Sequence, residues 1–295
     1  MFLREETMNI RSTRRTFLGA AGAAGMSALG VRPAAAVIEP EPWGIKLGVA
    51  SYSLRSFDRS KAIEMLKALH IEFVSIKDVH LKQTIPPAEI EAGAKEFRDA
   101  GIKIMSGGNV DMKETTAAEM RKHFEYAKHA GMPMMVCAPT PENVKVVESL
   151  VKEYNIKCAI HNHGPEDKHF PTPESVLKAV KDLDPRVGLC MDIGHSARAG
   201  ADVVKSIADA GSRLLDMHVK DLSTFHQNPG QKPGDLQVDV GDGVMPFPQI
   251  FKQLKKMGYK GCVNLEYEIH DKDPLPGMQR SFSYLRGVLA GLASA

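Results

Sequence analysis

Cysteine is sparse in this 295-residue chain: four residues, Cys137, Cys158, Cys190 and Cys262, none in a loop or at a framework spacing. Each sits inside a short apolar run, so all four are expected as buried thiols without chemistry, and a disulfide scaffold is excluded. An excess of one charge is also missing. Five of the 38 basic and two of the 36 acidic residues fall in positions 1–36, so the other 259 residues carry 33 against 34 and a net charge of −1. Nothing basic is left to track a phosphate backbone, which argues against a nucleic-acid partner. The apolar run from Leu18 to Val31 has 14 residues, short of the roughly 20 that span a bilayer, so no stable membrane anchor is expected. No linker, low-complexity stretch or composition break divides residues 37–295, which are expected to form one domain. With 43% hydrophobic and 25% charged residues, a disordered or collagen-like chain is excluded as well.

What is present begins with an address. Thr13-Arg14-Arg15-Thr16-Phe17-Leu18 leads into the Gly- and Ala-rich apolar run, then Arg32-Pro33 and Ala34-Ala35-Ala36. This order of charged region, apolar region and small-residue cleavage site predicts a twin-arginine signal over residues 1–36, cut after Ala36. The expected product is periplasmic or secreted and engages the twin-arginine export machinery. A start at Met8 would bring the arginine pair nearer the terminus. That route carries proteins already folded, often around a cofactor, which suits a bound metal.

From residue 45 a short β-rich apolar run, a polar turn and an amphipathic stretch recur. The runs are Ile45 to Ala50, Phe73 to Ile76, Ile102 to Met105, Met134 to Ala138, Lys157 to Ile160, Val187 to Met191, Leu214 to Val219 and Cys262 to Tyr267. Helical stretches lie between them, among them Pro87 to Ala100, Thr115 to Ala130 and Glu142 to Tyr154, and several end in glycine as helix C-caps do. Strands alternating with helices predict parallel pairing and right-handed crossovers. Eight units in this length predict an α/β fold closed as a (β/α)8 TIM barrel; the rival is an open doubly wound sheet with two edges to protect.

In such a barrel the strand C-termini carry the site. Strand two ends in Lys77-Asp78-Val79-His80, strand five in His161-Asn162-His163, strand six in Asp192-Ile193-Gly194-His195 followed by Arg198, strand seven in His218-Val219-Lys220-Asp221, and strand eight in Glu266-Tyr267-Glu268. Side chains alternate along a strand, so His161 and His163 share a face, as do His218 and Lys220, and Glu266 and Glu268. One group from each of strands five to eight can converge, and His161, Asp192, His218 and Glu266 are the expected metal shell, with Glu268 held in reserve for Glu266.

Asp-x-Gly-His, His-x-Lys-Asp and a strand-eight Glu, in this order, look like the xylose isomerase-like barrel superfamily. That group includes sugar isomerases and epimerases, inosose dehydratase, endonuclease IV and lyases that cleave 3-keto-glycosides. The resemblance implies that Asp192, His218 and Glu266 bind a metal and that His195 and Arg198 face the substrate. Epimerases of the group place a Glu on strand five where this chain has His161. Two imidazoles and two carboxylates favour Mn2+ first, then Zn2+, Co2+ or Fe2+, over Mg2+.

The implied chemistry is proton abstraction beside a carbonyl, through an enediolate. Glu266 is the first base, with His195 or Lys220 as partner acid, and Arg198, His163, Glu268 and His80 as substrate contacts. The substrate is expected to be a sugar or keto-sugar. Isomerase or epimerase chemistry stands first; β-elimination by a lyase or dehydratase acting on a 3-keto-glycoside or inosose stands second, because elimination needs only one base and one acid. A non-catalytic sugar-binding protein is the alternative outside enzymes. Asp239-Val240-Gly241-Asp242-Gly243 is expected as a plain turn or a glycine loop lining the substrate, His270 as a second hydroxyl contact, and Trp43 as packing. His70, His123 and His129 are expected on helix surfaces, and longer loops over the mouth leave room for a lid or a homo-oligomer contact.

Overall fold

The computed structural model describes residues 42–226 and 231–294. The arginine pair and the cleavage position after Ala36 lie outside the described residues. Ten strands run among those residues: β1 (Lys46–Ala50), β2 (Phe73–Ile76), β3 (Lys103–Asp111), β4 (Met134–Ala138), β5 (Lys157–His161), β6 (Val187–Asp192), β7 (Leu214–Val219), β8 (Asp221–Leu222), β9 (Gln237–Val238) and β10 (Cys262–Leu265). Eight of them close a barrel in the order β1, β10, β7, β6, β5, β4, β3, β2, with every pairing parallel. The open-sheet alternative is thereby excluded, since β1 hydrogen-bonds to β10 and leaves no edge.

The helices are α1 (Arg59–Ala68), α2 (Pro87–Asp99), α3 (Ala117–Ala130), α4 (Val144–Tyr154), α5 (Pro173–Val180), α6 (Ile193–Arg198), α7 (Val203–Ala210), α8 (Phe247–Lys256) and α9 (Leu275–Ser294). Their ends follow local chemistry. Thr116 caps α3 by accepting the Glu119 backbone N–H, and the helix stops at Gly131, whose φ of 67° suits a residue without Cβ. Thr172 and Ser175 form a reciprocal capping box on α5. No helix among the described residues is long and apolar enough to cross a membrane.

Two layers of core result. Between strands and helices pack Val49, Phe97, Phe124, Leu150, Ile160, Phe251 and Leu289, all essentially inaccessible, each worth about 1.5–3 kcal/mol on burial. A second cluster, Met134, Val136, Ala159 and Cys190, fills one side of the barrel interior. The other side is polar: Asp216 on β7 accepts from Ser106 Oγ on β3 at 2.6 Å and from Asn264 Nδ2 on β10 at 2.8 Å. Desolvation raises the Asp216 carboxyl to about 6. All four cysteines are buried and free, as expected.

The structure adds three things to the eight expected units. β3 runs on to Asp111, α6 turns back directly from the end of β6, and β8 and β9 pair as an antiparallel ribbon after β7. Gln237 on β9 donates to the Glu266 carbonyl at 2.8 Å and accepts from the Glu268 backbone N–H at 2.7 Å, pinning the end of β10.

Candidate metal centre at the barrel mouth

Each ligand candidate sits where its strand runs out at the C-terminal end of the barrel. His161 ends β5, Asp192 ends β6 while capping α6, His218 lies one residue from the end of β7, and Glu266 follows β10. Alternation puts His161 above Ala159, Asp192 above Cys190, His218 above Asp216 and Glu266 above Asn264. The four side chains converge, with one ligand atom from each lying within 4.8 Å of all the others. His161 Nε2 is 3.1 Å from His218 Nδ1 and 3.8 Å from Asp192 Oδ2, and His218 Nδ1 is 3.3 Å from Glu266 Oε2.

This cluster is short of hydrogen bonds. Asp192 Oδ2, which faces the cluster, is fully buried with no hydrogen-bond partner, and so are His161 Nδ1 and His218 Nε2, the ring nitrogens on the far side from the His161 Nε2–His218 Nδ1 contact. Lys220 Nζ stands 3.1 Å from Asp192 Oδ2, without hydrogen-bond geometry, and 3.2 Å from Glu266 Oε2. Buried polar atoms left unmatched are costly, and two imidazoles with two carboxylates aimed at one point are a donor set that a divalent cation satisfies. Desolvation, helped by the neighbouring His218, pushes the His161 ring well below its usual range and leaves it neutral, the form that ligates.

Lysines surround the carboxylates. Burial alone would lower Lys220, but Asp192, Glu266 and Glu268 outweigh it and hold the ammonium well above its usual value. Burial would likewise raise Glu266, yet His218, Lys77 and Lys220 keep it ionised. Lys77, directly after β2 and in the same strand-end run as His80, is a site residue outside the expected set. Its Nζ is 3.1 Å from Glu266 Oε1, and alternation with Ser75 already places it facing the interior.

Above the cluster opens a cavity of about 520 Å3, lined by Tyr52, Lys77, Asn109, His163, His195 and Glu268 among others. Two expected substrate contacts do not line it. His80 is buried, with Nδ1 2.9 Å from Ser51 Oγ, because the turn after β2 folds its ring beneath the mouth. Arg198 lies behind His195, with Nη2 2.8 Å from His195 Nδ1, and pairs with Glu166. His163, His195 and Glu268 do line the cavity, and Glu266 reaches it from the metal cluster.

Of the two readings of 239–243 the structure shows the plain turn: it does not line the cavity, and the Asp221 carboxylate accepts the backbone N–H groups of Gly241, Gly243 and Met245. Two further expectations are corrected. His123 is buried rather than on the surface, set between Gln83 and Glu114. His270 is exposed and does not line the cavity. Trp43 packs against the core with Lys255 Nζ 4.1 Å from its ring centroid.

Comparison with known proteins agrees with this architecture. The rhizopine catabolism protein MocC of Rhizobium meliloti is 32% identical over 126 residues, 39% of this chain and 38% of that protein. An inosose dehydratase of Mesomycoplasma hyopneumoniae is 29% identical over 153 residues, 47% of this chain and 50% of that protein. The chain thus spans half or less of the length of these curated relatives. Among solved structures, the IOLI protein with a bound zinc atom superposes with a TM-score of 0.67 at 18% identity, covering 84% of this chain and 98% of that one. D-psicose 3-epimerase gives a TM-score of 0.64 at 17% identity, with coverage of 84% and 98%. Residues 61–288 match the xylose isomerase-like TIM barrel family, and the chain belongs to that family.

Proposed function

We propose that this chain is a divalent-metal-dependent enzyme acting on a keto-sugar, that it removes the proton beside the carbonyl, and that the enediolate-like intermediate resolves by β-elimination. The observation that carries the reading is the convergence of His161, Asp192, His218 and Glu266 within 4.8 Å at the barrel mouth, beneath an open cavity. When bound, the ion supplies polarisation of the carbonyl and stabilisation of the developing negative charge. Mn2+ remains the first expectation for this mixed shell, with Zn2+, Co2+ and Fe2+ in the same class. The zinc named for the IOLI protein supports that class.

Glu268 takes the role of base in place of Glu266. Both Glu266 oxygens are engaged, Oε1 by Lys77 and Oε2 by His218 and Lys220, and the carboxylate is buried. The Glu268 side chain is 33% exposed, lines the cavity and has Oε2 2.5 Å from Lys220 Nζ. Glu268 removes the proton. The C–H electrons then form the new double bond as the bond to the β-oxygen breaks, and Lys220 protonates the departing oxygen. The direct contact of the two groups lets the proton on Glu268 return to Lys220 and reset the site.

Base and acid stand on one wall of the mouth, while β5 and β6 present the imidazoles His163 and His195. Epimerisation by two carboxylates would need a second one facing them from β5, where this chain has His161. That absence moves elimination ahead of the isomerase or epimerase reading. The dehydratase among the relatives supports the same order, and a periplasmic address, expected from the N-terminal sequence, favours a non-phosphorylated sugar. The test is incubation of metal-loaded protein in D2O with ketoses, inososes and 3-keto-glycosides, followed by NMR. An unsaturated keto-sugar is the expected product. A saturated isomer carrying solvent deuterium restores isomerase chemistry, and sugar binding without turnover, unchanged by Glu268→Gln, reduces the chain to a binding protein.

A further inference from the structure

We infer that the Glu166–Arg198 ion pair is a tautomer lock on His195, holding Nε2–H toward the metal-side cavity as a hydrogen-bond donor for a substrate oxygen; its catalytic use rests on the function proposed above. Arg198 donates from Nη1 to Glu166 Oε1 at 2.6 Å and from Nη2 to Glu166 Oε2 at 3.0 Å. Nη2 also lies 2.8 Å from His195 Nδ1. A guanidinium has donors and no acceptor, so His195 Nδ1 must present its lone pair there. In a neutral ring the hydrogen then resides on Nε2.

The surroundings leave this arrangement little freedom. The Arg198 side chain is only 3% exposed, and the His195 backbone N–H is tied to Asp192 Oδ1 at 2.8 Å. Gly164 has a φ of 87°, and a methyl group there would stand 2.7 Å from Arg198 Nη2 and 3.2 Å from His195 Nδ1. The absence of a side chain at 164 makes room for the lock.

In a histidine oriented by a carboxylate, Nδ1–H faces the orienting group and Nε2 is left as a base. Here an arginine occupies that position and the polarity is reversed. Nε2, 3.9 Å from Asp192 Oδ2 and on the cavity wall, carries the hydrogen. His195 therefore does not accept the substrate proton. It donates to the oxygen on which charge develops, and Arg198 and Glu166 are positioning residues that act through it.

Long-range 1H–15N correlation on metal-free protein labelled with 15N-histidine reads the tautomer directly, with His195→Gln assigning the signals. The expected pattern is a bare Nδ1 and a protonated Nε2. In Arg198→Met that pattern gives way to a tautomer mixture; Arg198→Lys, which keeps a donor, retains it. A protonated Nδ1 in the wild type, or an unchanged pattern in Arg198→Met, overturns the lock, and the wild-type spectrum decides even where a variant fails to fold. With a substrate in hand, Arg198→Met lowers kcat by about a hundredfold with KM within about threefold. A confirmed tautomer with no keto-sugar turned over leaves the lock standing and removes the proposed function.

Discussion

Lys77 Nζ stands 3.1 Å from Glu266 Oε1, while His218 Nδ1 is 3.3 Å from Oε2 of the same carboxylate. One side chain just past β2 thus fixes the carboxylate plane so that its second oxygen points into the donor cluster. Glu266 is held for ligation, and the proton chemistry passes to its neighbour two residues on.

That division separates two conservative variants. Glu266→Gln should lower metal affinity by at least about a hundredfold, read as metal content after dialysis. Glu268→Gln should keep the metal and lose about two to four orders of magnitude in kcat. Metal loss in the second variant, with metal retained in the first, would exchange the two roles.

Lys220 should show opposed effects. Its ammonium lies 3.1 and 3.2 Å from Asp192 Oδ2 and Glu266 Oε2, oxygens of the donor cluster. Replacing it by Met removes a like charge, so chelator competition should show divalent binding tightened roughly tenfold. The same variant should lose about a hundredfold or more in turnover. Weaker metal binding would mean that Lys220 orders the ligands instead of competing with the ion.

Stability should fall on mild acidification. Desolvation holds the buried His80 below its ordinary value, and its Nε2 has no hydrogen-bond partner. The unfolded chain takes up a proton near pH 6.5 while the folded ring resists it. Stability is therefore complete above that pH and declines as pH drops below it, by on the order of 1 kcal/mol per unit. Urea unfolding at pH 7.5 and 5.5 measures the difference, which should shrink in His80→Gln; an equal loss in the variant would assign the acid sensitivity elsewhere.

Asp221 should be a structural anchor. Its buried carboxylate accepts four backbone N–H groups, from Leu222, Gly241, Gly243 and Met245. In Asp221→Asn an amide NH2 faces two of those donors, at a cost of about 2 kcal/mol in urea unfolding. A loss under about 0.5 kcal/mol would mean that the turn finds other partners.

Much was legible without coordinates. Short apolar runs mark all eight barrel strands, because a strand buried on both faces is mostly apolar and a turn is polar. Strand alternation then selects His161, Asp192, His218 and Glu266, since residues two apart share a face and strand ends meet at one mouth. The helix on which His195 and Arg198 sit was not visible: α6 has six residues, too few to show a period.

What only the tertiary structure decided was which partner each polar side chain meets. Arg198 is as polar as any substrate-facing arginine, yet its guanidinium lies behind His195 because Gly164, in the loop after β5, leaves the space. Glu266 and Glu268 share a face, and the approach of Lys77, His218 and Lys220 to Glu266 distinguishes a ligand from a base. Asp221 holds the 239–243 turn because β8 brings its carboxylate there. Local sequence determines which residues form strands and which way their side chains alternate, since sterics and hydrophobicity act over a few residues. Ion pairs and hydrogen bonds between strands far apart in the chain depend on closure of the barrel, and closure sets the chemistry of this site.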